Sequence, residues 1–247
     1  LKTIIYSKIK EKKERIITSC DSKDIQSELN DEGFKKAASE ADILLIRPVG
    51  EWNEGALNAE YDALEAAYDD IAIMAVYLLV SDWNHELSPW HNPPVFGNEE
   101  FGDGASDTLD QIRENILEPL LSLKSLSIPV IIAGYSLAGL FSLWATCEDE
   151  CFSGCAAVSP SVWFQGFLDY LNIHMPKSGC YYLSLGRKEP RTANKTMQKV
   201  GDNLVAIDEL LEQTGKKHIL KWNDGGHFND PDKRMLEGLK DIIKMSL

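Results

Sequence analysis

Pro129-Val130-Ile131-Ile132-Ala133-Gly134-Tyr135-Ser136-Leu137-Ala138-Gly139-Leu140 runs from a buried-type strand through Gly-x-Ser-x-Ala-Gly into an apolar helical pattern, Leu140 to Ala145. Strand before and helix after is the setting of a nucleophile elbow, a tight turn that strains its serine and needs small residues two positions either side. Gly134 meets that need fully. Ala138 stands where glycine is usual, with Gly139 directly behind it. In such a turn the Ser136 hydroxyl projects above the sheet at the positive end of the next helix, and the Leu137 amide points at a developing oxyanion. The alternative is that Ser136 merely caps the helix, a position serine favours.

Outward from this turn the chain alternates. Strand patterns fall at 2–9, 14–20, 42–48, 71–80, 129–134, 154–159, 180–186 and 217–222, and helical periodicity at 23–39, 57–67, 107–126, 137–147, 162–171, 196–213 and 232–245. The first two strands, joined by the charged stretch Lys10 to Lys13, read as a hairpin within residues 1–20. From Asp42 onward each strand is followed by a helical segment, which predicts a largely parallel sheet covered by helices. Ser22, Ser106 and Asp230-Pro231 supply helix-start signals, and Pro119 is expected to kink or end the third helix. No repeat, low-complexity run or composition break marks a linker, so residues 1–247 read as one domain. Residues 81–104 break the pattern, with three prolines, three glycines, two tryptophans and two histidines. A long irregular loop directly after a strand is expected to overhang a pocket or act as a lid.

A serine hydroxyl is a poor nucleophile until a base takes its proton. Of His85, His91, His174, His218 and His227, only His227 follows the last predicted strand and precedes the last helix, in Trp222-Asn223-Asp224-Gly225-Gly226-His227-Phe228. Two glycines let the backbone turn there and carry a side chain back over the sheet. The competing reading is a surface-loop histidine. His218 falls within a strand and His174 near a helix end, both structural positions, while His85 and His91 lie in the irregular loop. An acid must orient the imidazole, in the chain order serine, acid, histidine. After the seventh strand, Arg187-Lys188-Glu189-Pro190-Arg191 holds a single carboxylate, Glu189. A solvated charged loop is the alternative there, and a dyad lacking an acid stays open.

Four motifs in this order resemble the α/β-hydrolase superfamily: Gly134-Tyr135-Ser136-Leu137-Ala138-Gly139, Ser159-Pro160-Ser161-Val162-Trp163, Gly186-Arg187-Lys188-Glu189 and Gly225-Gly226-His227-Phe228. The resemblance is to its esterase branch, which includes S-formylglutathione hydrolase and the esterases of trilactone siderophores such as enterobactin. It covers roughly residues 42–247 and implies an α/β fold: a single-domain, mostly parallel eight-stranded sheet with helices on both faces, which the hairpin completes. It implies Ser136 as nucleophile, His227 as base and Glu189 as acid. The implied activity is carboxylic ester hydrolysis through an acyl-enzyme on a small-molecule ester, with no metal or organic cofactor. Besides Ala138, the chain departs from the family where a His-Gly oxyanion loop is usual and Leu45-Ile46-Arg47-Pro48-Val49-Gly50-Glu51 stands instead. Backbone amides of Leu137 and Gly50 are the expected oxyanion donors.

Trp83, Trp90 and Trp163 follow strands at the end where sites form, and read either as an aromatic-lined pocket or as lid packing. Trp83, Trp163, Tyr135 and Arg47 are the expected substrate contacts. Arg47, Arg187 and Arg191 suggest a locally positive mouth for an anionic ester, or simply exposed arginines.

With 25 basic and 39 acidic residues the 247-residue chain has a formal charge of −14, and it is 44% apolar and 26% charged. That composition is globular, and its negative field argues against nonspecific nucleic-acid or membrane-surface binding. The longest apolar run, 71–80, is half a membrane span. No leader pattern opens the chain, and Leu1 is not an initiator, which leaves upstream processing open. Five cysteines fit reduced thiols in a cytoplasm. Cys147, Cys151 and Cys155 recur every fourth residue, but Ser153-Gly154 interrupts any shared helix, so buried thiols are expected and no metal site. Three rivals share the pattern: an acyltransferase or thioesterase using the same triad, a peptidase, and a catalytically silent α/β-hydrolase fold used as a binding module. Oligomeric state has no sequence signal.

Overall fold

The strands β1 (Lys2–Ile9), β2 (Glu14–Asp21), β3 (Ile43–Gly50), β4 (Ile73–Val80), β5 (Val130–Tyr135), β6 (Gly154–Val158), β7 (Cys180–Gly186) and β8 (Lys217–Asn223) build one sheet in the order β2-β1-β4-β3-β5-β6-β7-β8. This architecture comes from a computed structural model, which describes every residue except 11, 96 and 124–126. β1 pairs antiparallel with both β2 and β4, and every pairing from β4 through β8 is parallel. The helices are α1 (Ile25–Glu28), α2 (Glu32–Glu40), α3 (Leu57–Ala67), α4 (Trp83–Glu86), α5 (Ala105–Ile112), α6 (Glu118–Leu121), α7 (Leu137–Glu148), α8 (Phe167–Ile173), α9 (Val200–Gln213) and α10 (Pro231–Ser246).

Both faces of the sheet are covered, which is why β3, β4, β6 and β7 are buried at every position. Along β4, Met74, Val76, Leu78 and Val80 join the core that holds α5, α7 and α9, while Ile73, Ala75, Tyr77 and Leu79 join the one that holds α3 and α10. After β3 the chain moves outward to β4, then crosses back over β3 to β5 and continues the other way. The crevice between the ends of β3 and β5 is therefore the topological switch point, where α/β sheets bind ligands. Ser136 lies at that point, directly after β5.

The expected helices shift in ways that local chemistry explains. The single helix expected over 23–39 is broken, because Asp31 accepts the Phe34 N–H at 2.8 Å and starts α2 afresh. The Asn30 side chain meanwhile closes the preceding turn on the Ser27 carbonyl. Pro119 does not end its helix. A π-helical turn, Arg113–Leu117, precedes it, and Pro119 then falls in the first turn of α6, where a missing N–H costs nothing. The expected end of that helix at residue 126 lies outside the described residues. The helix expected from 162 begins only at Phe167, after Gly166 adopts φ 83°. The α5 cap is Gly104 and not Ser106. Within 81–104, α4 and a single bridge between Asn92 and Phe101 supply the regular structure, and residue 96 lies outside the described residues. No helix among the described residues is long and apolar enough to cross a membrane.

The Asp31 cap yields a direct expectation. Asp31→Ala leaves the first N–H groups of α2 unsatisfied and should lower the unfolding free energy by about 1 kcal/mol, read as a lower urea midpoint at unchanged slope.

Candidate active site

Ser136 holds φ 60° and ψ −122°, a backbone state that costs a non-glycine residue about 1–3 kcal/mol unless its surroundings enforce it. Here they do. Its N–H donates to the Val158 carbonyl at 3.1 Å, and its carbonyl accepts from Gly139, Leu140 and Ser161 N–H groups at 3.0–3.1 Å. A side chain on Gly134 would meet the Ala138 carbonyl oxygen at 2.2 Å and the Ala138 methyl at 2.8 Å. The alanine that departs from the usual elbow thus occupies space that Gly134 leaves empty. The Ser136 hydroxyl makes no capping bond to α7, although the residue stands at the cap position. It lies 3.0 Å from His227 Nε2 and 3.4 Å from the Ser161 hydroxyl.

His227 reaches Ser136 from the loop between β8 and α10. Gly225 turns that loop with φ 90°, and Asn229 accepts the Gly226 N–H through its side chain at 2.7 Å. Tyr135, the last residue of β5, donates its hydroxyl to the His227 carbonyl at 2.5 Å and packs against the imidazole. The β7 and β8 loops are stitched together by Arg187 N–H to the Asn223 carbonyl and Lys188 N–H to the Gly225 carbonyl, each 2.9 Å.

Glu189 Oε2 faces His227 Nδ1 at 2.8 Å. Its other oxygen accepts from the Gly186 N–H at 2.7 Å, the Ser159 hydroxyl at 2.8 Å and Arg234 Nη1 at 3.3 Å. Burial by itself would raise this carboxyl, but His227, the Gly186 N–H and Ser159 outweigh it and hold the group below the usual carboxylate range. Glu189 is therefore an ion at neutral pH, as an orienting acid must be. Because its pKa is depressed, its stabilising contribution is complete above the ordinary glutamate value of 4.5 and is lost as the pH falls through the lower folded value.

No family model matches the chain, and no curated protein does. Solved structures do. An IroE-like serine hydrolase from Shewanella oneidensis superposes with a TM-score of 0.66 at 15% identity, over 83% of this chain and 71% of that one. The siderophore hydrolase EstA from Aspergillus nidulans gives 0.64 at 17%, over 99% and 95%. The enterobactin esterase FES from Shigella flexneri gives 0.56 at 18%, over 85% of this chain and 54% of that longer one. The chain has the α/β-hydrolase fold. At these identities the likeness is one of fold.

Within this fold the other expected site residues fall in different places. Leu137 opens α7, where helix N–H groups have no intrahelical acceptor. β3 and β5 pair in register as far as Ile46 and Ile132, and β3 runs on to end at Gly50. Trp83, on α4, packs against Trp52 at 5.2 Å. Trp163 is 7% exposed and packs on Phe101, so it belongs to the core under the loop. Arg47 does not stand at a mouth: it is 7% exposed, pairs with Glu60 at 3.3 Å and lies over the Tyr77 ring, because the outward turn of β3 begins only after Gly50. Burial pushes the Glu60 carboxyl up despite that partner. Arg187 and Arg191 are exposed. His218 pairs with Asp208 and His174 stacks on Tyr170, both away from Ser136's partners, and His85 and His91 both approach Asp103. The cysteines are free, and burial raises the Cys147 thiol to about 12, which makes it inert.

Several residues beside the triad carried no role in the sequence reading. Ser159, Ser161 and Arg234 touch Glu189 or Ser136; the two serines stand in a quoted motif with no role attached, and an arginine within a helix has no distinguishing signal of its own. Trp52 lies so close over Gly50 that a side chain there would meet the indole at 2.3 Å, and it remains 68% exposed. Phe228 packs its ring edge-on to His227 at 5.0 Å and is 89% exposed. Their sequence positions, two past a strand-end glycine and one past the loop histidine, were the available clue.

Replacing Glu189 by glutamine keeps its shape but removes the anion that selects the His227 tautomer. Glu189→Gln should lower kcat by roughly 10²- to 10⁴-fold with little change in KM, in steady-state hydrolysis of a chromogenic ester.

Proposed function

We propose that this protein is a serine-dependent carboxylic ester hydrolase that acts through an acyl-enzyme on a small-molecule ester. The observation that carries the reading is the continuous chain Ser136 Oγ–His227 Nε2–Glu189, at 3.0 and 2.8 Å, seated on a strained strand-to-helix turn. A silent scaffold has no use for a strained serine facing an oriented imidazole, so this geometry favours catalysis over a binding module.

In the proposed reaction Ser136 Oγ attacks the ester carbonyl carbon while His227 Nε2 takes the hydroxyl proton. The developing imidazolium is steadied by Glu189 at Nδ1. The oxyanion is held by the Leu137 N–H at the start of α7 and a second amide near Gly50, aided by the positive end of the helix. Collapse expels the alcohol, which takes its proton from His227. Water, deprotonated by the same imidazole, then releases the acid and restores Ser136. The chemistry calls for no metal or organic cofactor.

Phe228, edge-on to His227, and Trp52, over Gly50, are both exposed and supply apolar surface for the ester. The solved structures of like fold named for siderophore and enterobactin hydrolysis make such esters the first substrates for a panel. Thioesters and alternative acyl acceptors in the same panel separate hydrolysis from acyl transfer.

A fluorophosphonate probe should label wild-type protein on Ser136, and Ser136→Ala should lose labelling together with on the order of 10⁵-fold in kcat. Labelling at another serine, or hydrolysis that survives the mutation, would sink the reading.

A further inference from the structure

Arg234 is 3% exposed, an uncommon state for an arginine, which is almost never fully buried unless paired. It lies one turn into α10, and its guanidinium is shared among three separate segments. Nη1 is 3.3 Å from Glu189 Oε1, on the turn after β7, and 3.4 Å from the Ser159 hydroxyl, after β6. Nη2 donates to the Asp224 carbonyl at 2.6 Å, on the loop that carries His227. A side chain on Gly186 would come within 3.0 Å of Nη2, so the guanidinium is packed in place and not merely nearby.

We propose that Arg234 is a positioning residue for the Ser136–His227–Glu189 line, clamping the carboxylate of Glu189 opposite His227 and setting a fixed positive charge against its far oxygen. This rests on the serine-hydrolase reading above. An isolated Glu189 anion would stabilise the His227 imidazolium and raise its basicity, which withholds the base from Ser136 as the pH falls. A fixed cation on the far carboxylate oxygen offsets that attraction while leaving the hydrogen bond at Nδ1 intact.

The other groups facing the pair do not supply this charge. Tyr135 and Ser136, from the end of β5, and Ser159, after β6, are neutral. Asp224, on the His227 loop, presents its carbonyl to Arg234 while the residue itself is exposed. Arg187 and Lys188, on the turn of Glu189 itself, are exposed to solvent. Among the described residues, the ion pairs of Glu189 are those with His227 and Arg234.

The test is the pH profile of kcat/KM in Arg234→Gln and Arg234→Lys, with His227 titrated in parallel by NMR. Glutamine keeps a donor but no charge. It should move the acidic limb and the His227 titration upward by roughly half to one pH unit, with kcat at the plateau reduced about tenfold and KM little changed. Lysine keeps the charge and should leave the limb near its wild-type position. Should Arg234→Gln not fold, Arg234→Met makes the same prediction for the limb. An unmoved limb in the neutral variant, or equal shifts in the neutral and lysine variants, overturns the proposal. Ser136→Ala run alongside separates the two readings: surviving hydrolysis there sinks the serine mechanism itself, whatever Arg234 does.

Discussion

The positive φ of Ser136 is the constraint on which the rest depends. An L-residue resists that conformation, so it persists only where several contacts enforce it at once. The enforcing contacts come from the end of β6, from Ser161 just after it and from the first turn of α7. Gly134 leaves the space that lets α7 begin immediately. Because α7 is buried along Leu137 to Cys147, the turn cannot relax without moving the centre of the molecule. Ser136 is thus mounted on the least deformable part of the fold, which is what the proposed reaction, needing near-attack geometry, requires.

His227 and Glu189 are mounted differently. Both sit on loops after the last two strands, and loops alone are poor mounts for a site that tolerates errors of only about 0.5 Å. The structure compensates by tying the loops to each other through backbone bonds and to β5 through Tyr135. It then concentrates donors on the one Glu189 oxygen that His227 does not use. Tyr135 is a strut between β5 and the loop that carries His227.

The strand positions, the hairpin, the parallel alternation and the elbow were legible in the sequence, since hydrophobic period and turn chemistry are local properties. Ser136, Glu189 and His227 could be singled out because each follows a strand in the chain order that this turn demands. The broken helix at Asp31 and the π turn before Pro119 were hidden, because helical periodicity continues across both and only the capping geometry interrupts it.

What the sequence by itself determined is the order of elements, the type of sheet and the identity of the three residues that the structure brings into one hydrogen-bonded line. Only tertiary structure decided which charges are buried and with whom. Arg47 looked like a residue of the mouth and is paired with Glu60, whereas Arg234, unremarked in a helix, lies against Glu189. The reason is physical. A buried ion needs a partner to offset its lost hydration, and that partner comes from a distant segment whose approach is set by packing, which no local pattern records.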